Sequence, residues 1–187
     1  MMILLVIWII ALIFLNKLNL KFFKFVLGSL GTFIFLIHYT NDILRENILK
    51  VLAFVLNLIG GFITNFEVFP EYGMLTVTRT TEVITFFLDY ECTGILEIMV
   101  YISLVAFYPI RGPLSKIYYM ITGIVYITAV NLLRVMIIVF IIQGMGMKYF
   151  FFAHTVIARL IFFIFVVTLY YRTFTLEHIV QQKVGVL

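Results

Sequence analysis

Six long apolar runs, separated by short polar connections, dominate the chain and limit what it can become. They lie at about residues 2–15, 22–38, 43–64, 93–110, 117–143 and 149–171. Runs of this kind in a soluble core need a polar surface around them. Here 64% of residues are hydrophobic and only 12% charged, with mean hydropathy +1.18. Ordinary soluble domains are about 45–50% apolar and about 25% charged. Soluble enzyme folds are therefore excluded, and the apolar content also excludes intrinsic disorder. The expected fold class is an all-α polytopic membrane protein with about six transmembrane helices. A spanning helix takes about 20 residues, so six would use roughly 120 of the chain in one domain over 1–187. The first run is short and reaches across if Lys17 snorkels. It lacks the basic n-region and cleavage site of a signal peptide, so it reads as a retained helix or signal anchor.

One stretch breaks the pattern. Residues 65–91 carry Glu67, Glu71, Arg79, Glu82, Asp89 and Glu91, and include MLTVTRTTEVITFFL. Dense Thr, Val and Ile with partial alternation is strand chemistry. A small β-hairpin or strand pair on the outer membrane surface is expected, with an irregular loop as the alternative. Residues 172–187 form a short tail. The net charge of +4 sits mostly in the connections, where Lys and Arg set topology, and no basic stripe resembles a nucleic-acid footprint. Six alternating spans would put Lys17, Lys21, Lys24, Arg79 and Lys148 on one side and Arg45, Lys50, Arg111, Lys116, Arg172 and Lys183 on the other. Five against six gives the positive-inside rule nothing to act on. The acidic strand segment is placed outside, which makes this a multi-pass cell-membrane protein.

Polar groups inside lipid are expensive, and three sites carry them. The first is Glu91-Cys92-Thr93-Gly94-Ile95 at the start of the fourth run. The second is Asn131-Leu132-Leu133-Arg134 inside the fifth, and the third is His154 near the start of the sixth. In consecutive antiparallel spans, the start of the fourth, the end of the fifth and the start of the sixth share one face. Cys92, Arg134 and His154 therefore converge by connectivity alone. Arg134, nine residues before Gln143, lies roughly 13 Å below that end. Each residue also has an ordinary structural reading. A lone cysteine packs as a small apolar group, although a helix N-terminus favours its thiolate. Arg134 can be half of a buried pair with Glu97, five residues after Cys92. Asn131 shares the helix face of Arg134. A single histidine can serve as a satisfied core group. Cys92 has no disulfide partner in a chain with one cysteine, and neither a cofactor nor a metal is expected.

The motifs together resemble the exosortase/archaeosortase family, in its compact Gram-positive form, over about residues 41–170. The resemblance rests on a helix ending in NLIGG, then EYGMLTV, ECTGI, NLLRV and AHTVIARLIFF. The family pattern is Cys-Ser/Thr-Gly-Ile, then Asn-x-x-Arg about forty residues on, then a histidine opening the last core helix. Ala158 stands four positions after His154, where members often carry a small residue, frequently Gly. The resemblance implies a membrane-embedded cysteine peptidase or transpeptidase with its active site on the outer side. Cys92 would be the nucleophile, His154 the base and acid, and Arg134 the oxyanion or thiolate stabiliser, with Thr93, Gly94, Glu97 and Asn131 supporting. Its partners would be exported proteins ending in a recognition motif, a transmembrane helix and a basic cluster, besides the membrane lipid. The alternative is a non-enzymatic subunit of a polysaccharide or protein export system with a structural Arg–Glu pair. A metal-dependent intramembrane protease would need an HExxH pair or paired intramembrane aspartates, which the sequence lacks.

Overall fold

The computed structural model describes residues 2–40, 42–63, 66–69, 71–79, 82–87, 93–108 and 112–176. The fold is mostly helical, with one small sheet. In chain order the elements are α1 (Met2–Lys17), α2 (Lys21–Tyr39), α3 (Asp42–Ile63), β1 (Phe66–Phe69), β2 (Met74–Arg79), β3 (Glu82–Phe87), α4 (Ile95–Phe107), α5 (Pro113–Met145) and α6 (Met147–Leu176). They form two compact units, one of Met1–Thr40 with Leu96–Ile124 and one of Asn41–Ile95 with Val125–Leu187.

The first unit is a set of helices held by large side chains in glycine notches. α1 and α2 form a hairpin turned at Asn19, whose φ of 54° is one that asparagine tolerates better than most residues. The Trp8 ring fills the space at Gly31, its indole N–H donates to the Leu27 carbonyl at 2.9 Å, and it meets Phe35 edge to face. α4 runs antiparallel to α2. Phe107 occupies the notch at Gly28, and at the other end the Thr40 hydroxyl approaches the Met99 sulfur at 3.9 Å. α4 turns back into the start of α5. There the fully buried Tyr101 lies on Gly123 and donates to the Tyr119 carbonyl at 3.1 Å.

The second unit is built on the sheet. Strand order is β1-β2-β3, antiparallel throughout, with Phe66 opposite Val77 and Thr76 opposite Thr85. The expected hairpin is therefore three strands, the extra one being the short FEVF of β1. One sheet face is apolar and buried: Phe66, Val68, Leu75, Val77, Ile84 and Phe86 pack with Leu52 and Leu56 of α3, Val135 and Val139 of α5 and Ala158 of α6. The opposite face carries Glu67, Thr78 and the Thr76–Thr85 hydroxyl pair, together with the exposed Phe69, Val83 and Phe87.

Three helices are long and apolar enough to cross a membrane: Lys21–Tyr39, Pro113–Met145 and Met147–Leu176. Three other apolar helices, Ile3–Lys17, Leu49–Ile59 and Ile95–Phe107, are shorter. The basic residues also fall differently from the six-span division. Lys21 and Lys24 of α2 line one cavity with Lys116 of α5, whereas strict alternation separates them.

The notches give a direct test. A Cβ at Gly123 overlaps the Tyr101 ring, while one at Gly144 meets nothing within 4 Å. Gly123→Ala should lower stability by about 1–3 kcal/mol through overpacking. Gly144→Ala should be neutral or slightly stabilising, because alanine is the better helix former. Thermal unfolding of both variants in detergent checks the contrast.

Candidate active site

The site begins where the sheet segment hands over to α4. Thr93 and Gly94 are buried at the N-terminus of α4, and the Ile95 amide donates to the Thr93 hydroxyl at 3.4 Å. That bond satisfies one of the amides a helix start leaves unpaired. Gly94 has φ +71°, a left-handed conformation that costs glycine little and other residues more. It also lies close against α5. A Cβ there would stand 3.4 Å from Cβ and Cγ of Asn131 and 3.6 Å from Ile127. The Thr-Gly turn thus rests on the helix face that carries the Asn-x-x-Arg motif.

On that face Ile127, Asn131 and Arg134 follow at intervals of four and three residues, the spacing of one helical stripe. Asn131 is fully buried and Arg134 only 4% exposed. The Arg134 guanidinium lies over the Phe162 ring of α6, 5.6 Å from its centroid, a cation–π geometry. The Oδ1 of Asn131 and the Nε of Arg134 are buried without a hydrogen-bond partner, while both residues engage neighbours through other atoms.

His154 sits in an irregular start to α6. A 3-10 turn (Met147–Tyr149) and one short helical stretch precede a π-helical turn at Ala153–Ile157, closed by the Ala158 amide donating to the Ala153 carbonyl. Half-buried, His154 stacks on Phe150 at 5.6 Å and 18°, and Phe150 meets Phe86 of β3 at 5.3 Å. Along α6, His154, Ala158 and Phe162 succeed one another at four-residue steps. The ring beneath Arg134 is thus about 12 Å along the axis from His154.

The structure therefore joins Thr93 and Gly94 to Asn131 and the Arg134 face, and ties His154 to β3 through two rings. Cys92 lies outside the described residues, between Phe87 of β3 and Thr93. Glu97 belongs to the other unit, in the first turn of α4, where a carboxylate complements the helix dipole. Two neighbours escaped the sequence reading, Phe162 under Arg134 and Phe150 against His154. The row His154-Ala158-Phe162 is the signal that points to the first. No family model, curated protein or solved structure matches the chain.

The Gly94 position has a measurable consequence. Gly94→Ala adds a left-handed penalty of about 1–2 kcal/mol to a contact already at van der Waals distance. Stability in detergent should fall by about that amount. The Asn131→Ala background should not relieve the loss, because the backbone conformation carries most of it.

Proposed function

We propose that the chain is an exosortase-like cysteine peptidase or transpeptidase of the cell membrane, acting on exported proteins with a C-terminal motif, helix and basic tail. The observation that supports this reading is the packing of Gly94 on Asn131, since it sets the Thr-Gly part of the first motif against the helix face of the Asn-x-x-Arg motif. In the proposed reaction the Cys92 thiolate attacks the scissile carbonyl. The C–S bond forms as the oxyanion develops, and Arg134 stabilises that charge. Collapse breaks the C–N bond, and the leaving amine takes its proton from the His154 imidazolium. An acceptor amine or water then attacks the thioester, gives its proton to His154 and releases the thiolate.

Cys92→Ala should abolish processing of a co-expressed secreted protein bearing such a tail, while the variant protein still accumulates. Full processing by Cys92→Ala would remove the covalent mechanism. Arg134 separates the enzyme from a scaffold with a structural Arg–Glu pair. Breaking a buried pair from one side costs about 3–5 kcal/mol, whereas replacing both partners is often neutral. Arg134→Leu with Glu97→Leu should fold yet stay inactive, and Arg134→Lys should be poor because it lacks the planar fork. Recovered cleavage in the double variant favours the scaffold reading.

The same reading places the site outside, with five crossings by α1, α2, α4, α5 and α6. Support comes from the end of α2 and the start of α4, which lie together at Thr40 and Met99. An even number of crossings must intervene, and an open-edged sheet cannot return through lipid. Among described residues, Lys17, Lys21, Lys24, Lys116 and Arg172 then share one side, against Arg45, Lys50, Arg79 and Lys148. Five against four is a small excess, and by the positive-inside rule it favours the first side as cytoplasmic. Single cysteines in a Cys92→Ala background test this on intact cells with an impermeant maleimide. Thr78→Cys should label, and Lys17→Cys and Gly112→Cys should both stay protected. Labelling of only one of the last two returns the topology to six crossings.

A further inference from the structure

We propose that a lysine-lined cavity in the first unit binds the phosphate headgroup of an anionic phospholipid, with its acyl chain lying along α1. The cavity is about 360 Å³ and is lined by Lys21, Lys24, Lys116, Asn16, Asn19 and, on its apolar wall, Phe107. Among its described lining residues none is acidic. Lys24 donates to the Asn16 side-chain oxygen at 2.8 Å, and Lys116 to the Ala106 carbonyl at 2.6 Å. Both acceptors are neutral, so the three positive charges repel one another across a small space. An ammonium has three donors, which leaves each of these two with capacity for a further acceptor. A phosphate group supplies both the charge and the oxygens.

Two further observations select a lipid over a free phosphate. Lys21 lies in the first turn of α2 and Lys116 in the first turn of α5, helices long and apolar enough to cross a membrane. The end of a membrane-crossing helix is where lipid headgroups are met. A second cavity, about 340 Å³, shares Asn16 and Lys24 with it and is lined by Ile9, Leu12 and Ile13 of α1 and by Lys17. A polar chamber with an apolar groove beside it matches an amphiphile with a charged head and a hydrocarbon tail. Basic pockets between membrane helices recognise anionic headgroups in this way. Its lining residues all belong to the first unit, whereas Arg134 and His154 belong to the second, and its ligand does not depend on the reaction proposed for them.

The test uses the full chain in detergent, titrated with phosphatidylglycerol, phosphatidylcholine or inorganic phosphate, with binding read by native mass spectrometry and by thermal shift. Phosphatidylglycerol should bind at least about tenfold more tightly than phosphatidylcholine. Each lysine contributes about fivefold, so Lys24→Gln with Lys116→Gln should weaken binding about twenty-five-fold. If that variant does not fold, Lys21→Gln alone, at an exposed lysine, should show about a fivefold loss. Ile13→Asn in the groove should weaken lipid binding as well. Equal affinity for the two lipids, or undiminished binding by the lysine variants, overturns the proposal. So does inorganic phosphate binding as tightly as the lipid, which would make this a small-anion site.

Discussion

Apolar side chains gain nothing by leaving lipid tails for one another, so helices in a bilayer are held by close fit and by polar contacts. The first unit depends on this. Each of its helix pairs is fixed where a large ring drops into a glycine notch: Trp8 at Gly31, Phe107 at Gly28, Tyr101 at Gly123. Two of these rings carry a polar atom, and each donates to a backbone carbonyl, Trp8 to Leu27 and Tyr101 to Tyr119. Those bonds fix ring orientation, which dispersion alone does weakly. The same device serves the second unit at Gly94, where the large neighbour is the Asn131 amide. There it brings a polar side chain, not an aromatic one, against a helix start.

The second unit follows the rules of water as well as those of lipid. Its sheet alternates between buried and exposed positions, with Phe66, Val68, Leu75, Val77, Ile84 and Phe86 inward and Glu67, Thr78 and Thr85 outward beside the exposed Phe69, Val83 and Phe87. The polar positions of that outer face suit an antiparallel sheet with one face on a core and the other in contact with water. α3 covers the dry face with Leu52, Ala53 and Leu56, all buried. Its charged N-terminal half and its apolar C-terminal half are thus suited to lying on a sheet. This explains why a run with the hydropathy of a span does not need to be one.

The sequence made legible what depends on composition and period. Long apolar runs became helices and the Thr/Val/Ile stretch became strands. Of the expected convergence of Cys92, Arg134 and His154, the described residues show the Thr93-Gly94 turn against Asn131 on the Arg134 helix face, while His154 packs on Phe150 and Cys92 lies outside them. β1 was hidden because four residues before Pro70, FEVF, form too short a run to show a period. The pairing of Lys21 and Lys24 with Lys116 was hidden because it depends on whether α3 crosses, and mean hydropathy cannot distinguish lipid from an apolar sheet. Phe162 was hidden because aromatic residues abound in this chain, 21 phenylalanines among them, and only geometry singles one out.

The π-turn in α6 is the least predictable feature and the one that positions His154. Five steps of regular α-helix turn through about 500°, leaving a residue at i+5 about 140° away from residue i. Ala153 and Ala158 could not then both face the core, yet both are fully buried. Closure from residue i to i+5 keeps them on one face. It also rotates His154, the residue after Ala153, to the edge of that face, where it is half-buried and stacked on Phe150. A ring in that setting is held in orientation by its stacking partner while part of it stays accessible. Beyond the turn the helix returns to regular spacing, and Ala158 and Phe162 bring the buried row under Arg134. Ala158 is fully buried in the cluster formed by the sheet, α3 and α5, so a larger side chain there would have to be accommodated against them.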